Sequence, residues 1–271
     1  NLPYVNIESN NLKFNIIFNN NNINSNINSN INSNIFFSYS LYYYLNSLKQ
    51  NITIYNDKWD IFKKLTNPYE YIHGYLPYSK ISINKYKPIS RAYFKIIEII
   101  NTFNLLNEKK EINSFHLAEG PGGFIEGFLN YRNNENDIYN GITLISSNTD
   151  IPSWKKSNNL FNNKQIKILY GKTNDGDLFK KDNLIHLYNN YYNSIDYVTG
   201  DGGFDFSNDF NNQENISYQL ILTQILYALL IQKENGYFIL KIFDIFKYKT
   251  VEIIFLLFIF FENVSIYKPK T

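Results

Sequence analysis

The stretch Phe115-His116-Leu117-Ala118-Glu119-Gly120-Pro121-Gly122-Gly123-Phe124 sets a short apolar run against an acid and a glycine-rich turn. A turn of this kind between a strand and a helix can cradle a small ligand, and the residues around the glycines decide which. A dinucleotide turn needs G-x-G-x-x-G, and a phosphate loop needs G-x-x-x-x-G-K-[ST]. Neither pattern is here. No lysine or hydroxyl follows the glycines, and Glu119 in front of them repels phosphate. The turn suits a zwitterionic or cationic ligand, and S-adenosylmethionine fits, with its amino-acid end, sulfonium and ribose. Standing alone, the same turn also reads as a tight strand-to-helix connection that holds nothing.

Other residues with chemical potential recur just after candidate strands. "IKILY" is followed by "GKTNDGD", with Asp175 and Asp177. "IDYVTGD" ends at Asp201, and "GYFILKIFD" carries Lys241. Acidic groups therefore collect on one rim with a lysine among them. Lys241 interrupts an apolar strand pattern, where burial of an unpaired charge is costly.

The elements that must position these residues alternate along the chain. Short helices are predicted from Phe36 to Lys49 and from Trp59 to Leu65. After the break at Pro88, Ile96, Ile97, Ile100, Phe103 and Leu106 follow helical spacing. Strand-like "SFHLA" precedes helix-like "GFIEGFLNYR"; "NGITLIS" and "IKILY" read as strands, and Leu184 to Tyr192 as a helix. "IDYVTGD" leads into the long "NISYQLILTQILYALLIQK", "GYFILKIFD" into "TVEIIFLLFIFF", and "VSIYKP" reads as a last strand. Strands alternating with helices predict an α/β fold with a mostly parallel sheet covered on both faces. In such sheets ligands sit at the carboxyl ends of the strands.

Composition narrows the field. At 271 residues and 44% hydrophobic content the chain can build one sizeable core. A net charge of +2 gives no global field for nucleic acid, so any basic surface must be local. Without cysteine there is neither a disulfide framework nor a thiolate zinc site, and three scattered histidines argue against a histidine metal cluster. No metal is expected. The apolar run Ile253 to Phe261 is too short to span a membrane, and no signal peptide is legible, so the expectation is a soluble intracellular protein. The absence of Met, even at position 1, suggests that the natural start lies upstream. Asn19 to Asn34 is low complexity, with Ile at every fourth position. That spacing is compatible with a helix stripe or with one face of a strand, and equally with an expanded flexible repeat.

At this point the sequence resembles a known family. "FHLAEGPGGF", "NGITLISSNTDIPSW", "YGKTNDGDL", "VTGDGGFDFSNDFNNQE" and "YFILKIFD" are similar, in order, to motifs of FtsJ-like ribose 2′-O-methyltransferases. The variety is that of mRNA cap enzymes, particularly those of large DNA viruses. "KPISRAYFKIIEI" resembles the helix that precedes the cofactor turn in that family. The resemblance runs from about Lys87 to Thr271. It implies a Rossmann-like S-adenosylmethionine-dependent methyltransferase fold, whose C-terminal strand is missing from this sequence. The expected organisation is 1–36 as an Asn-rich segment, 37–86 as a helical extension and 87–271 as the methyltransferase domain.

The implied activity is 2′-O-methylation of the first transcribed nucleotide of capped mRNA. The alternatives are a ribosomal or transfer RNA 2′-O-methyltransferase and a non-catalytic RNA-binding subunit of the same fold. The family's Lys-Asp-Lys-Glu tetrad falls on Lys95, Asp201 and Lys241, with the glutamate expected beyond Thr271. A ribose hydroxyl is a poor nucleophile, and a lysine accepts its proton only when a nearby cation or a dry site lowers the lysine's pKa. On this reading Lys95 supplies the cation, and Asp201 orients Lys241. For S-adenosyl-L-methionine, the implied contacts are Glu119, Gly120, Pro121, Gly122, Gly123 and Phe124 around the methionine part, with Asp201 beside them. Asp177 is expected near the adenine, with Asp175 as its rival, and Asp150 lies too far along to assign to the ribose. The implied partners are capped RNA and other capping-apparatus subunits, with no membrane. The implied location is the cytoplasm, including a viral factory or virion, with the nucleus as the alternative.

Overall fold

A computed structural model describes residues 38–75, 82–107, 110–146, 151–154, 157, 160, 162–204 and 212–271. The Asn-rich segment and Asp150 lie outside the described residues. The chain forms two compact units. One holds α1 (Tyr39–Ile52) as far as Asn51 together with Asp244–Lys268, and the other comprises Ile52–Phe243 with Pro269–Thr271.

In the first unit the Lys49 ammonium pairs with Asp244 at 3.1 Å, and the Tyr42 ring meets Phe246 edge-on at 5.3 Å. This unit also carries the helix α7 (Tyr248–Phe260). The alternating "VSIYKP" was expected to be a strand, but Val264–Pro269 has no regular structure. Alternation shapes a face, whereas a strand exists only where a neighbour takes up its backbone hydrogen bonds.

The second unit holds the sheet. Its helices are α2 (Trp59–Thr66), α3 (Ala92–Phe103), α4 (Gly123–Arg132), α5 (Lys181–Tyr191) and α6 (Gln213–Ile231). The strands are β1 (Asn113–Leu117), β2 (Ile138–Ile142), β3 (Ile166–Leu169), β4 (Ile195–Gly200) and β5 (Gln232–Leu240). They pair in the order β3-β2-β1-β4-β5, and every pairing is parallel. The chain winds outward from β1 through β2 to β3, then crosses to the other side for β4 and β5. The order therefore reverses between β1 and β4, the switch point where such sheets open a crevice. The predicted α/β doubly covered sheet is thus present, with β5 as an edge.

Both faces are packed, which is why the central strands read as nearly continuous apolar runs. Ile96 and Ile100 of α3 and Phe124, Ile125 and Phe128 of α4 cover one face, against Tyr139 and Tyr197. Leu187 of α5 and Leu220, Tyr227, Ala228 and Ile231 of α6 cover the other, against Phe115, Leu117 and Val198. The period of two along β1 sends Ser114 and His116 to the α4 side. There the His116 ring is fully buried, bonded to Ser114 Oγ at 2.8 Å and to Thr199 Oγ1 at 2.9 Å. Thr199 is also its register partner on β4, so the imidazole joins the two strands that frame the crevice. Among the described residues no helix is long and apolar enough to cross a membrane.

Candidate active site

The carboxyl ends of β1, β4 and β5 bring three of the expected residues together. Asp201 is the first residue beyond β4, and Lys241 is the first beyond β5. Lys241 therefore does not interrupt its strand, as the sequence pattern suggested, but stands on the rim with its side chain 30% exposed. Its backbone N–H donates to Gly200 O at 2.8 Å, a last rung of β pairing that fixes where the side chain starts. The Lys241 ammonium donates to Asp201 O at 2.6 Å and lies 2.9 Å from Asp201 Oδ1. The second contact lies off the direction a hydrogen bond needs, so it is an ion pair. The ring of Phe243 lies 5.6 Å from the same ammonium.

Lys95 joins them from the first turn of α3, which packs on the sheet through Ile96 and Ile100. Burial pushes its amine below the ordinary lysine value; Lys241 and Arg91 push the same way, while Asp201 and Glu70 oppose. Lys95 thus feels both partners of the Lys241–Asp201 pair.

Glu119 is the fourth member. It is 4% exposed, and its Oε1 accepts the Phe124 N–H at 2.6 Å from the start of α4. Its Oε2 is buried with no partner. Burial pushes this carboxyl well above the usual range, and the Asp201 charge adds to the push. A buried oxygen without a donor beside a second carboxylate suits a ligand that brings a positive or N–H-bearing group.

The glycines of the turn also answer to protein packing. A Cβ on Gly120 would lie 2.8 Å from Pro152 O, and one on Gly122 would lie 2.6 Å from Leu160 Cδ1. On Gly123 it would meet Ser90 Oγ at 2.2 Å and Ala92 Cβ at 3.0 Å. These glycines admit protein: they let the turn lie against Pro152, Trp154 and Leu160 and the start of α3. Gly122, at φ 107°, also needs a left-handed backbone.

The β3–α5 loop separates the two aspartates that the sequence left as rivals. Asp175 ion-pairs with Lys180 and accepts from Thr173 Oγ1 and Asp177 N, so it is spent on holding the loop. Asp177 uses Oδ1 to accept Phe179 N at 2.9 Å. Neither joins the Lys95–Asp201–Lys241 group. Two polar residues escaped the sequence reading. Gln224, fully buried on α6, accepts the Gly202 N–H at 3.1 Å and so braces the chain next to Asp201. Asn183 on α5 bonds Thr173 and Asp177 O and holds the β3–α5 loop. For Gln224 a signal was present: it is a carboxamide at a helix position whose neighbours at three and four residues, Leu220, Ile221, Tyr227 and Ala228, are apolar.

Residues 88–271 match the profile of a family described as FtsJ-like methyltransferase. The chain is 31% identical over 196 residues to cap-specific mRNA (nucleoside-2′-O-)-methyltransferase 2 of Danio rerio, over 67% of this chain and 26% of that protein. It is 25% identical over 240 residues to the Drosophila melanogaster protein of the same name, over 84% and 34% respectively. With cap-specific mRNA (nucleoside-2′-O-)-methyltransferase 1 of Mus musculus the identity is 30% over 224 residues, covering 76% and 25%. The chain thus spans about a quarter to a third of the length of these curated relatives.

Proposed function

Residues 88–271 place the chain in the FtsJ-like methyltransferase family, and from that premise we propose that it is an RNA ribose 2′-O-methyltransferase acting on the first transcribed nucleotide of capped mRNA. The observation that carries the reading is the meeting of Lys95, Asp201 and Lys241 at the rim where the strand order reverses. The cap specificity rests on the named activity of the relatives.

S-adenosylmethionine, when bound, supplies a methyl group on a positively charged sulfur. The residues present suit it: the turn from Glu119 to Phe124 offers a buried unpartnered carboxylate oxygen and no phosphate-binding lysine. On this reading Glu119 receives the amino-acid end, Asp201 lines the same floor, and Asp177 is the acid for the adenine side. Lys241, once its ammonium has released a proton to solvent and stands as the neutral amine, takes the proton of the ribose hydroxyl at Nζ, held in line by Asp201. Lys95 favours the developing alkoxide through its charge. Most of the acceleration comes from holding the hydroxyl oxygen at the right distance and angle.

The test is transfer of labelled methyl from S-adenosylmethionine to matched short RNAs carrying either a methylguanosine cap or a bare triphosphate. Label on the first ribose of capped RNA alone, absent with Lys241→Ala, is the expected result. Equal labelling of both RNAs would favour another RNA substrate. Labelling of neither, with cofactor still bound, would favour a subunit without catalysis.

A further inference from the structure

The two strands that frame the crevice diverge just above one pair of residues. The register of β1 on β4 runs from Ser114 opposite Tyr197 to Leu117 opposite Gly200, where it ends. Beyond it Ala118 takes a left-handed backbone at φ 52°, and the Glu119 N–H donates to Ile142 O of β2 at 3.2 Å. The chain after β1 thus leans toward β2, while β4 runs on to Asp201 beside Lys241. His116 and Thr199 are register partners one position below the point of divergence. Their side chains are tied, with Nδ1 and Oγ1 2.9 Å apart, and the other ring nitrogen lies 2.8 Å from Ser114 Oγ. A hydroxyl donates or accepts, so both nitrogens are satisfied in either tautomer. The Phe128 ring of α4 meets the imidazole edge-on at 5.0 Å.

Ser114, His116 and Thr199 are all fully buried. Burial keeps the imidazole neutral down to about pH 3, so it does no acid–base work near neutrality. Apolar side chains of like volume would fill the same space without burying polar atoms, so packing alone does not account for a histidine here. What the polar arrangement adds is direction, because a hydrogen bond holds two strands at one distance and angle. The two halves of the site stand on either side of it. Glu119 is fixed to one half by its own contacts: its N–H on Ile142 O, the Gly122 N–H on its carbonyl and the Phe124 N–H on its Oε1. Asp201 and Lys241 form the other half, joined by the Lys241 N–H on Gly200 O and by their 2.9 Å ion pair. Thr199 stands two residues before Asp201, and His116 three before Glu119. The bonds that link Asn113 of β1 to Asp196 and Ser194 lie at the opposite end of the strands.

Resting on the RNA-methyltransferase reading, we propose that His116 and Thr199 are positioning residues, whose hydrogen bond sets the gap between the cofactor half of the site and the Asp201–Lys241 half. That gap decides the distance from the methyl group to the ribose hydroxyl. Each half keeps its own contacts without the tie, so both ligands still bind, and what is lost is their alignment. In-line transfer is sensitive to alignment, since a misplacement of about 1 Å costs on the order of 10²-fold.

The experiment is steady-state methyl transfer to a short capped RNA, well below the melting temperature, with the full chain as wild type, Thr199→Val, Thr199→Ser and Ser114→Ala. Thr199→Val keeps the shape and removes the tie. Its kcat is expected to fall roughly ten- to hundredfold, with KM for S-adenosylmethionine and for RNA within about twofold of wild type. Thr199→Ala carries the same expectation where valine does not fold. Thr199→Ser keeps the hydroxyl and is expected to restore kcat. Ser114→Ala removes a bond to the same ring within β1, so it is expected to lower the melting temperature as Thr199→Val does, yet keep kcat. If the histidine only stabilised the core, both variants would change kcat alike, and that result overturns the proposal. An unchanged kcat in Thr199→Val, or one that serine does not restore, overturns it too. Amide exchange is followed on the same ligand-free proteins, and Thr199→Val is expected to exchange faster at residues 117–119 and 199–202, with α5 unchanged. Normal transfer with indifferent variants sinks the tie and spares the enzyme reading. The expected exchange pattern without transfer by any of the proteins does the reverse, and without either both fall.

Discussion

Lys241 and Lys95 carry the same functional group into different surroundings, and the difference assigns them different work. Lys241 sits against the Asp201 carboxylate, 2.9 Å away, on the open rim. Lys95 is drawn into the α3 packing, where burial lowers its proton affinity and two further cations add to the effect. Replacing Lys241 by Met, which keeps the chain length and drops the amine, is expected to lower kcat by about 10²- to 10⁴-fold. Cofactor affinity, followed by calorimetry, is expected to stay within the wild-type range. For Lys95 the pH profile is the sharper probe. If its charge stabilises the alkoxide, kcat falls on the alkaline side as Lys95 loses its proton, at a pH below that of an ordinary lysine. Lys95→Arg holds a guanidinium that stays charged, so its alkaline limb is expected to move upward or vanish. Superimposable alkaline limbs in the two proteins would remove Lys95 from that role.

Elements fix these residues by close packing, and the glycine turn is the place to test it. A Cβ at Gly123 would press on Ser90 Oγ, Ala92 Cβ and the Tyr93 N–H, the start of the helix that carries Lys95 two residues on. Gly123→Ala is expected to cost about 1–3 kcal/mol in stability, and to lower kcat beyond what a melting curve explains, because α3 must shift. Equal kcat at a reduced melting temperature would confine the glycine to folding. Gln224→Leu tests the same rim from the other face of the sheet: it leaves the buried Gly202 N–H without its acceptor, at about 1–3 kcal/mol, and loosens the chain beside Asp201. These two residues also mark how far the sequence could be read. The order of strands and helices was legible from periodicity, Glu119 and Asp201 from their places after strands, and Lys241 as a charge set in an apolar run. Lys95 was legible only through family resemblance, since one lysine on an amphipathic helix has no distinguishing local pattern. Which protein atoms crowd the glycines, and which loop a buried carboxamide braces, depends on contacts 30 residues apart or on opposite sides of the sheet. No local pattern encodes those. The unrealised strand at Val264–Pro269 failed for the same reason, because pairing is not a property of the segment that pairs.

At the scale of the whole molecule, two buried titratable groups set stability against pH with opposite signs. Burial lowers the His116 pKa from 6.5 to about 3, so the unfolded chain binds a proton there that the folded chain refuses. Its contribution is present above pH 6.5 and is lost as the pH falls toward 3, at up to about 1.4 kcal/mol per pH unit. Glu119 runs the other way. Its folded pKa lies well above 4.5, so the folded chain keeps a proton that the unfolded chain releases, and stability declines as the pH rises above 4.5. Between pH 4.5 and 6.5 the two slopes oppose each other and flatten the curve. Glu119→Gln removes one of them without changing shape. The ligand-free variant is expected to melt higher than wild type at pH 7 to 8, and its stability to climb more steeply from pH 4.5 to 6.5. His116→Gln loses stability at every pH, but the slope below 6.5 is expected to flatten, and it is the slope that reports the histidine. The same Glu119→Gln protein is expected to bind S-adenosylmethionine more weakly, because the neutral amide cannot answer a cationic ligand. A variant more stable and less able to bind would mean that the turn holds an acid in an unfavourable place for the sake of its ligand. A variant neither stabilised nor weakened would mean that Glu119 belongs to the turn alone.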